Sequence, residues 1–121
     1  MRVVAFEKFT RIGRSFKPEV TLRRSGIIGV NNGAIQRFAL SRFQHVVLFY
    51  DRDTHRVGIQ PVKNGDTPGA VTLRIKQGNA SVSARSFLDC YEVPYANGPK
   101  YAAVWDDVEH MVVFDLKKPK E

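Results

Sequence analysis

The sequence predicts a mainly β (α+β) fold in which two similar β-β-α-β-β halves share one core. Three observations support this prediction: an internal repeat, short apolar runs rich in β-branched and aromatic residues, and a turn-rich linker between the halves. The chain has 121 residues, of which 43% are hydrophobic and 26% are charged. This length and these fractions are typical of one globular domain and argue against a disordered chain.

A four-residue identity anchors the repeat. Val20-Thr21-Leu22-Arg23 recurs as Val71-Thr72-Leu73-Arg74, and each copy is followed by a glycine and a short strand-like stretch. In both halves a polar residue, Asn31 or Ser83, then precedes a segment compatible with a helix. Both residue types cap helix N-termini well, so each is the predicted N-cap. Matching features in the same order indicate a tandem duplication.

Each half ends in two apolar runs joined by a charged turn, which is the pattern of a β-hairpin. The two hairpins, residues 46–60 and 101–114, align without gaps over their turns. Three pairs of residues match: Tyr50 with Trp105, Asp51 with Asp106, and His55 with His110. Each half therefore reads strand, strand, helix, strand, strand.

The repeat gives the domain organisation. We expect a single domain over 1–121, composed of a basic N-terminal extension (1–19), repeat 1 (20–62), a linker (63–69), repeat 2 (70–117) and a basic tail (118–121). The start of the extension is compatible with a strand or a helix, and we favour a strand. A half of roughly 40–45 residues cannot seal a core alone, so the halves must pack together. Closure into one small pseudo-two-fold barrel would also remove exposed strand edges.

The first repeat resembles a known family. Gly26, a short apolar strand, a short helix and a hairpin with an acidic turn at residues 51–53 follow the spacing of the swapped-hairpin barrels of AbrB and MazE-type proteins. The two repeats cover residues 20–116 of that pattern, with Asn31 in place of the usual proline and Ala39 in place of the glycine. The resemblance implies two units intertwined into one barrel. It also implies DNA binding, since many members are transcription regulators or antitoxins.

Charge gives an independent indication of function. The net charge is +7 and the pI is about 9.9. The first 45 residues carry nine cations against two carboxylates, whereas residues 91–121 carry four against six. Such a one-sided positive excess is typical of a protein that binds a polyanion, although a basic protein with no anionic partner is the alternative.

We therefore predict a non-catalytic nucleic-acid-binding protein, with duplex DNA favoured as the partner. The candidate phosphate-binding residues are the cations of the first repeat and its extension: Arg11, Arg14, Lys17, Arg23, Arg24, Arg37 and Arg42. Arginine forks bind phosphate oxygens bidentately, which suits this role. The alternative is a protein-interaction module, antitoxin-like or an assembly subunit, whose basic face docks an acidic partner. The sequence leaves open whether the chain also forms a homo-oligomer.

Support for an enzyme or a metal site is weak. Common zinc and P-loop motifs are absent from the sequence. His55 and His110 occupy equivalent turns, where solvated residues are favoured over a pH-sensitive or metal-binding pair. The neighbouring aspartates are expected to bond the turn backbone. We expect no cofactor.

Two further expectations concern the compartment. Cys90, the single cysteine, is expected to be a buried small hydrophobe, and one cysteine fits a reducing compartment. No apolar run is long enough to cross a membrane, and we recognise no signal peptide, so a cytoplasmic protein is expected.

Overall fold

The structure is a computed structural model and describes residues 17–120. The first half contains β1 (Glu19–Leu22), β2 (Ile27–Val30), α1 (Asn32–Arg37), a 3₁₀ helix (Leu40–Arg42), β3 (His45–Asp51) and β4 (Arg56–Val62). The second half contains β5 (Ala70–Lys76), β6 (Asn79–Ser83), α2 (Arg85–Cys90), β7 (Lys100–Ala102), β8 (Val104–Asp106), β9 (Met111–Asp115) and β10 (Pro119–Lys120). The predicted mainly β class is confirmed. The predicted N-terminal strand lies outside the described residues.

The described strands form one antiparallel sheet in the order β10-β7-β1-β2-β6-β5-β3-β4-β9-β8. The sheet is unclosed, because β10 and β8 are left as its edges. Hairpins β1–β2 and β3–β4 belong to the first half, and β5–β6 and β8–β9 to the second. The pairing β7–β10 also lies within the second half, whereas the pairings β2–β6, β4–β9, β1–β7 and β3–β5 join the two halves. The strands of the two halves therefore form one shared sheet, and neither half forms a separate sheet.

The core is built from alternate residues of these strands. In β1, Val20 and Leu22 are fully buried, while Thr21 between them points to the other side of the sheet. Phe114 of β9 is also buried and packs against Tyr101 of β7, with ring centroids 5.3 Å apart. Burial of each such large side chain stabilises the fold by about 1.5–3 kcal/mol. Since both halves supply these residues, the two must fold together.

Helix α1 is fixed to β1 by one side chain. Asn31 is the N-cap, as predicted, and its Oδ1 accepts hydrogen bonds from the backbone N–H of Ala34 and of Glu19, both at 3.0 Å. Its Nδ2 donates to the carbonyl of Lys17 at 2.8 Å. The predicted Ser83 cap is wrong, because α2 begins one residue later with Ala84 at the N-cap and has no side-chain cap.

Both helices end in the same way. The residue after each C-cap, Ala39 or Glu92, adopts the left-handed conformation, with φ of 53° and 55°. The C-cap residues are aromatic, and each contacts an aromatic residue in a hairpin of the other half. Phe38 lies 5.8 Å from Trp105, and Tyr91 lies 4.5 Å from Tyr50. A buried aliphatic residue, Leu40 or Val93, then returns the chain to the core.

The hairpin turns follow their sequence pattern. Between β5 and β6, Gln77 and Gly78 have φ of 53° and 82°, as a two-residue type I′ turn requires. In the β3–β4 turn, Asp51 accepts hydrogen bonds from the backbone N–H of Asp53 and Thr54. In the β8–β9 turn, Asp106 does the same for Val108 and Glu109. The predicted role of these aspartates in the turns is confirmed.

Cys90 corrects another expectation, because the thiol is exposed at the end of α2. Helix α2 has six residues, and among them only Leu88 is buried. No helix within residues 17–120 has the length and apolar character to cross a membrane.

Candidate nucleic-acid interface

The seven predicted phosphate-binding residues do not form one patch in the part of the chain that the structure describes. Arg11 and Arg14 lie outside the described residues. The other five, Lys17, Arg23, Arg24, Arg37 and Arg42, are all exposed.

The described candidates separate along the β1–β2 hairpin. Arg23 and Arg24 lie in its turn, whereas Lys17 precedes its first strand. Arg37 lies near Lys17, because it ends α1 and borders the same pocket as Pro18. Arg23 and Arg24 therefore stand at one end of the hairpin, and Lys17 and Arg37 stand at the other.

A more continuous arrangement of cations lies on the outer side of strands β7, β1, β2, β6 and β5. Register pairs join one residue of each strand in a transverse row: Lys100, Thr21, Gly29, Ser81 and Arg74. Residues paired in this way point to the same side of a sheet. The row spans about 19 Å, since neighbouring strands are about 4.8 Å apart. We call this row, together with Arg23, the cationic face.

Arg23 lies across the middle of the row. A Cβ atom at Gly29 would come within 3.1 Å of both Nε and Nη2 of Arg23. The guanidinium therefore rests on the backbone of β2, where the missing side chain makes room for it. This contact also explains why Gly29 is buried although it points outward.

Arg74 is the counterpart of Arg23 in the repeated four-residue motif. It pairs with Ser81 and is exposed, while its neighbour Leu73 is buried on the core side. The guanidinium of Arg23 over β2 and the side chain of Arg74 on β5 thus lie on either side of β6. The residue between them in the row is Ser81, which has a small side chain.

Charge compensation on this face is slight. Its one carboxylate, Glu19, forms an ion pair with Lys120 of β10. The other ion pairs within residues 17–120 are Arg56–Asp51 and Arg85–Asp89. Arg23, Arg74 and Lys100 have no carboxylate within 4.0 Å in this part of the chain, so their positive charge is available to a ligand.

Sequence reasoning missed Arg74 and Lys100. The excess of positive charge lies in the first third of the sequence, whereas both of these residues belong to the second half. The available signal was the repeat itself, because Arg74 occupies the position of the candidate Arg23. Lys100 had no comparable signal, since its place beside Thr21 depends on the β1–β7 pairing between halves.

The polar residues of the turns form a separate group. Hydrogen bonding, above all from the Thr54 side chain, holds the pKa of the Asp51 carboxyl below its ordinary value. The backbone N–H of Glu109 is the main cause of the lowered pKa of Asp106. Nδ1 of His55 lies 3.1 Å from the hydroxyl of Tyr50. Among residues 17–120, no group of three or more His, Cys, Asp or Glu side chains could hold a metal ion.

Comparison with known proteins adds no relative. No protein-family model matches the chain, and no curated protein or solved structure is similar enough to match it.

Proposed function

We propose that this chain is a non-catalytic nucleic-acid-binding protein that holds duplex DNA against its cationic face, in the manner of a transcription regulator. The observation that carries the proposal is the pair Arg23 and Arg74, two exposed cationic side chains with only the small residue Ser81 of β6 between them. A phosphate group held over Ser81 could accept hydrogen bonds from both guanidinium groups. Each phosphate neutralised would release counterions, so binding should weaken steeply as salt is added.

Duplex is favoured over single-stranded nucleic acid by the side chains of this face. Proteins that bind single strands without sequence preference stack the bases on aromatic side chains. The cationic face consists of arginine, lysine, threonine, serine and glycine, and contains no aromatic ring. Contacts with phosphates are what these residues offer.

We further propose that the chain is a tandem swapped-hairpin barrel similar to AbrB and MazE-type proteins. Strand pairing supports this, because the β1–β7 pair Val20↔Tyr101 has its counterpart in the β5–β3 pair Val71↔Val46. Strands β7 and β8 are separated only by Ala103 and together correspond to β3. Treated as one strand, they would join the two ends of the strand order into a ring.

Contacts at the helix starts also support the duplication. A Cβ atom at Gly26 would come within 2.5 Å of Cβ of Arg85, the first residue of α2. A Cβ atom at Gly78 would come within 3.3 Å of Nδ2 of Asn32, the first residue of α1. The turn of each first hairpin therefore meets the helix of the other half.

The test is a salt titration of binding to random duplex DNA, for the unmodified protein and for Arg23→Ala/Arg74→Ala. Loss of each phosphate contact should reduce the slope of log K against log salt by about 0.9. The control is Lys63→Ala, which removes an exposed cation between β4 and β5 and should leave the slope unchanged. Absence of binding at low ionic strength would overturn the proposal. Retention of an acidic protein after nuclease treatment would instead favour the interaction module.

A further inference from the structure

A second face of the sheet is apolar. On the outer side of β3, β4, β9 and β8, register pairs join Phe49, Gly58, Val113 and Val104 in one transverse row. Phe49 is 43% exposed and Val104 is 59% exposed. Val108, in the β8–β9 turn beside this row, is 83% exposed. Only one other large hydrophobic residue within residues 17–120, Ile75, is exposed. We call this row, together with Val108, the apolar face.

The apolar face is grooved rather than flat. Met111 lies over Gly58, where a Cβ atom would come within 2.5 Å of its sulfur. Beside it, a groove of about 390 Å³ runs from Phe49 to Val108 and Val113. A second hollow of about 280 Å³ lies between Val104, Val113 and Lys118. Exposed apolar surface of this kind commonly marks an interface with another protein.

Charge is distributed unequally between the two ends of these strands. The β8–β9 turn, at one end of these strands, carries three carboxylates, Asp106, Asp107 and Glu109, beside the imidazole of His110. The opposite end carries Arg56 and Lys118 beside Asp51 and Asp115. Asp51 is already paired with Arg56, whereas Glu109 and Lys118 form no ion pair with any residue between 17 and 120.

We propose that the apolar face binds a second copy of this chain, with the two-fold axis along the row from Phe49 to Val104. Rotation about this axis places each residue of the row against its own counterpart, as an isologous interface requires. The same rotation lays the acidic end of one copy over the end of the other that carries Lys118. Apolar residues thus meet apolar residues, and Glu109 faces Lys118 twice.

The charges also distinguish this occupant from nucleic acid. A phosphate backbone would be repelled by the three carboxylates of the β8–β9 turn, whereas a second copy brings Lys118 to them. The cationic face lies on strands β7, β1, β2, β6 and β5, so dimerisation leaves it accessible. This inference does not depend on the proposed DNA binding.

The first test measures the mass of the full chain in solution by sedimentation equilibrium. We expect a reversible dimer. Phe49→Lys places like charges on the axis and should raise the dimer Kd by roughly 30-fold or more, as for other central interface residues. The control, Ile75→Lys, changes an exposed apolar residue outside this face and should leave the Kd unchanged. A protein that stays monomeric at all concentrations, or a Phe49→Lys variant that dimerises normally, would overturn the proposal.

A charge exchange tests the identity of the partner. Glu109→Lys and Lys118→Glu should each weaken the homodimer, because each variant brings like charges together twice. An equimolar mixture of the two should form a heterodimer, since both contacts then join opposite charges. Both sites are exposed, so the variants should fold, and circular dichroism verifies this. If the mixture dimerises no better than the separate variants, the two-fold arrangement is wrong.

Discussion

Tyr91 stacks on Tyr50 with ring centroids 4.5 Å apart, at the point where α2 ends against hairpin β3–β4. The guanidinium carbon of Arg52 also lies over the Tyr91 ring, 5.1 Å from its centroid. Phe87 meets the same ring edge-on at 5.2 Å. One aromatic C-cap residue therefore connects a helix of the second half to a hairpin of the first.

The stacked pair Tyr50 and Tyr91 should stabilise the folded protein, and the interaction between the two rings should be measurable. We expect Tyr50→Leu and Tyr91→Leu each to lower the free energy of unfolding, and their double-mutant cycle to give a coupling of about 0.5–1.5 kcal/mol, the range for aromatic pairs. Urea denaturation measures all four proteins. Tyr95→Leu with Tyr50→Leu is the control cycle, because Tyr95 bonds Asp89 instead. A coupling of zero for Tyr50 with Tyr91 would contradict the prediction.

Replacing Ala39, the residue with left-handed backbone conformation after α1, by glycine should stabilise the protein. Ala39 has φ of 53°, where a side chain costs about 1–2 kcal/mol relative to glycine. We expect Ala39→Gly to raise the free energy of unfolding by roughly 1 kcal/mol. The matched control is Ser86→Gly, at an exposed position inside α2, which should lower it by about 0.5–1 kcal/mol. Equal effects of the two glycines would show that backbone conformation does not decide the outcome.

Acid should weaken the fold through the turn aspartates. The pKa values of Asp51 and Asp106 are lowered in the folded chain from the ordinary 3.8, so each ionised carboxylate stabilises the native state. That contribution is complete above pH 3.8 and is lost as the pH falls further, through the folded pKa values. Urea midpoints between pH 7 and pH 2.5 should therefore decrease most steeply below about pH 4.

Asparagine at both positions provides the comparison. Asp51→Asn/Asp106→Asn keeps a side-chain oxygen for the turn N–H groups but cannot titrate. Its stability should be lower at pH 7 and should change less between pH 4 and pH 2.5. An unchanged pH profile would assign the acid sensitivity to other carboxylates.

Local chemistry explains which parts of this architecture were predictable. Asp51 and Asp106 mark their turns because a short carboxylate bonds the N–H groups two and three residues later, and this needs no distant partner. Asn31 caps α1 for the same reason. Ser83 fails as a cap because β6 continues through it, paired with Ile27 of the other half. Cys90 is exposed because the packing of α2 leaves only Leu88 inside.

The candidate interface shows the limit of counting charge along the chain. Arg74 contributes to the same surface as Arg23 only because β2 pairs with β6, and that pairing joins residues about fifty positions apart. Net charge per segment contains no information about such pairings. Arg37, in contrast, belongs to the same positively charged segment as Arg23 but lies at the other end of hairpin β1–β2.

The contact of Arg23 with Gly29 gives a test that changes no charge. A valine at position 29 should displace the guanidinium, since its Cβ atom alone would lie 3.1 Å from Nε and Nη2 and its methyl groups would extend further into the same space. We expect Gly29→Val to lower DNA affinity about as much as Arg23→Ala, roughly 10- to 150-fold, the scale of one hydrogen bond to a charged group. Fluorescence anisotropy with a labelled duplex at fixed salt measures both. Gly65→Val, the same substitution at an exposed glycine between β4 and β5 and outside the cationic face, is the control and should keep its affinity because it leaves Arg23 in place. If Gly29→Val folds and binds normally, Arg23 binds no phosphate from this position.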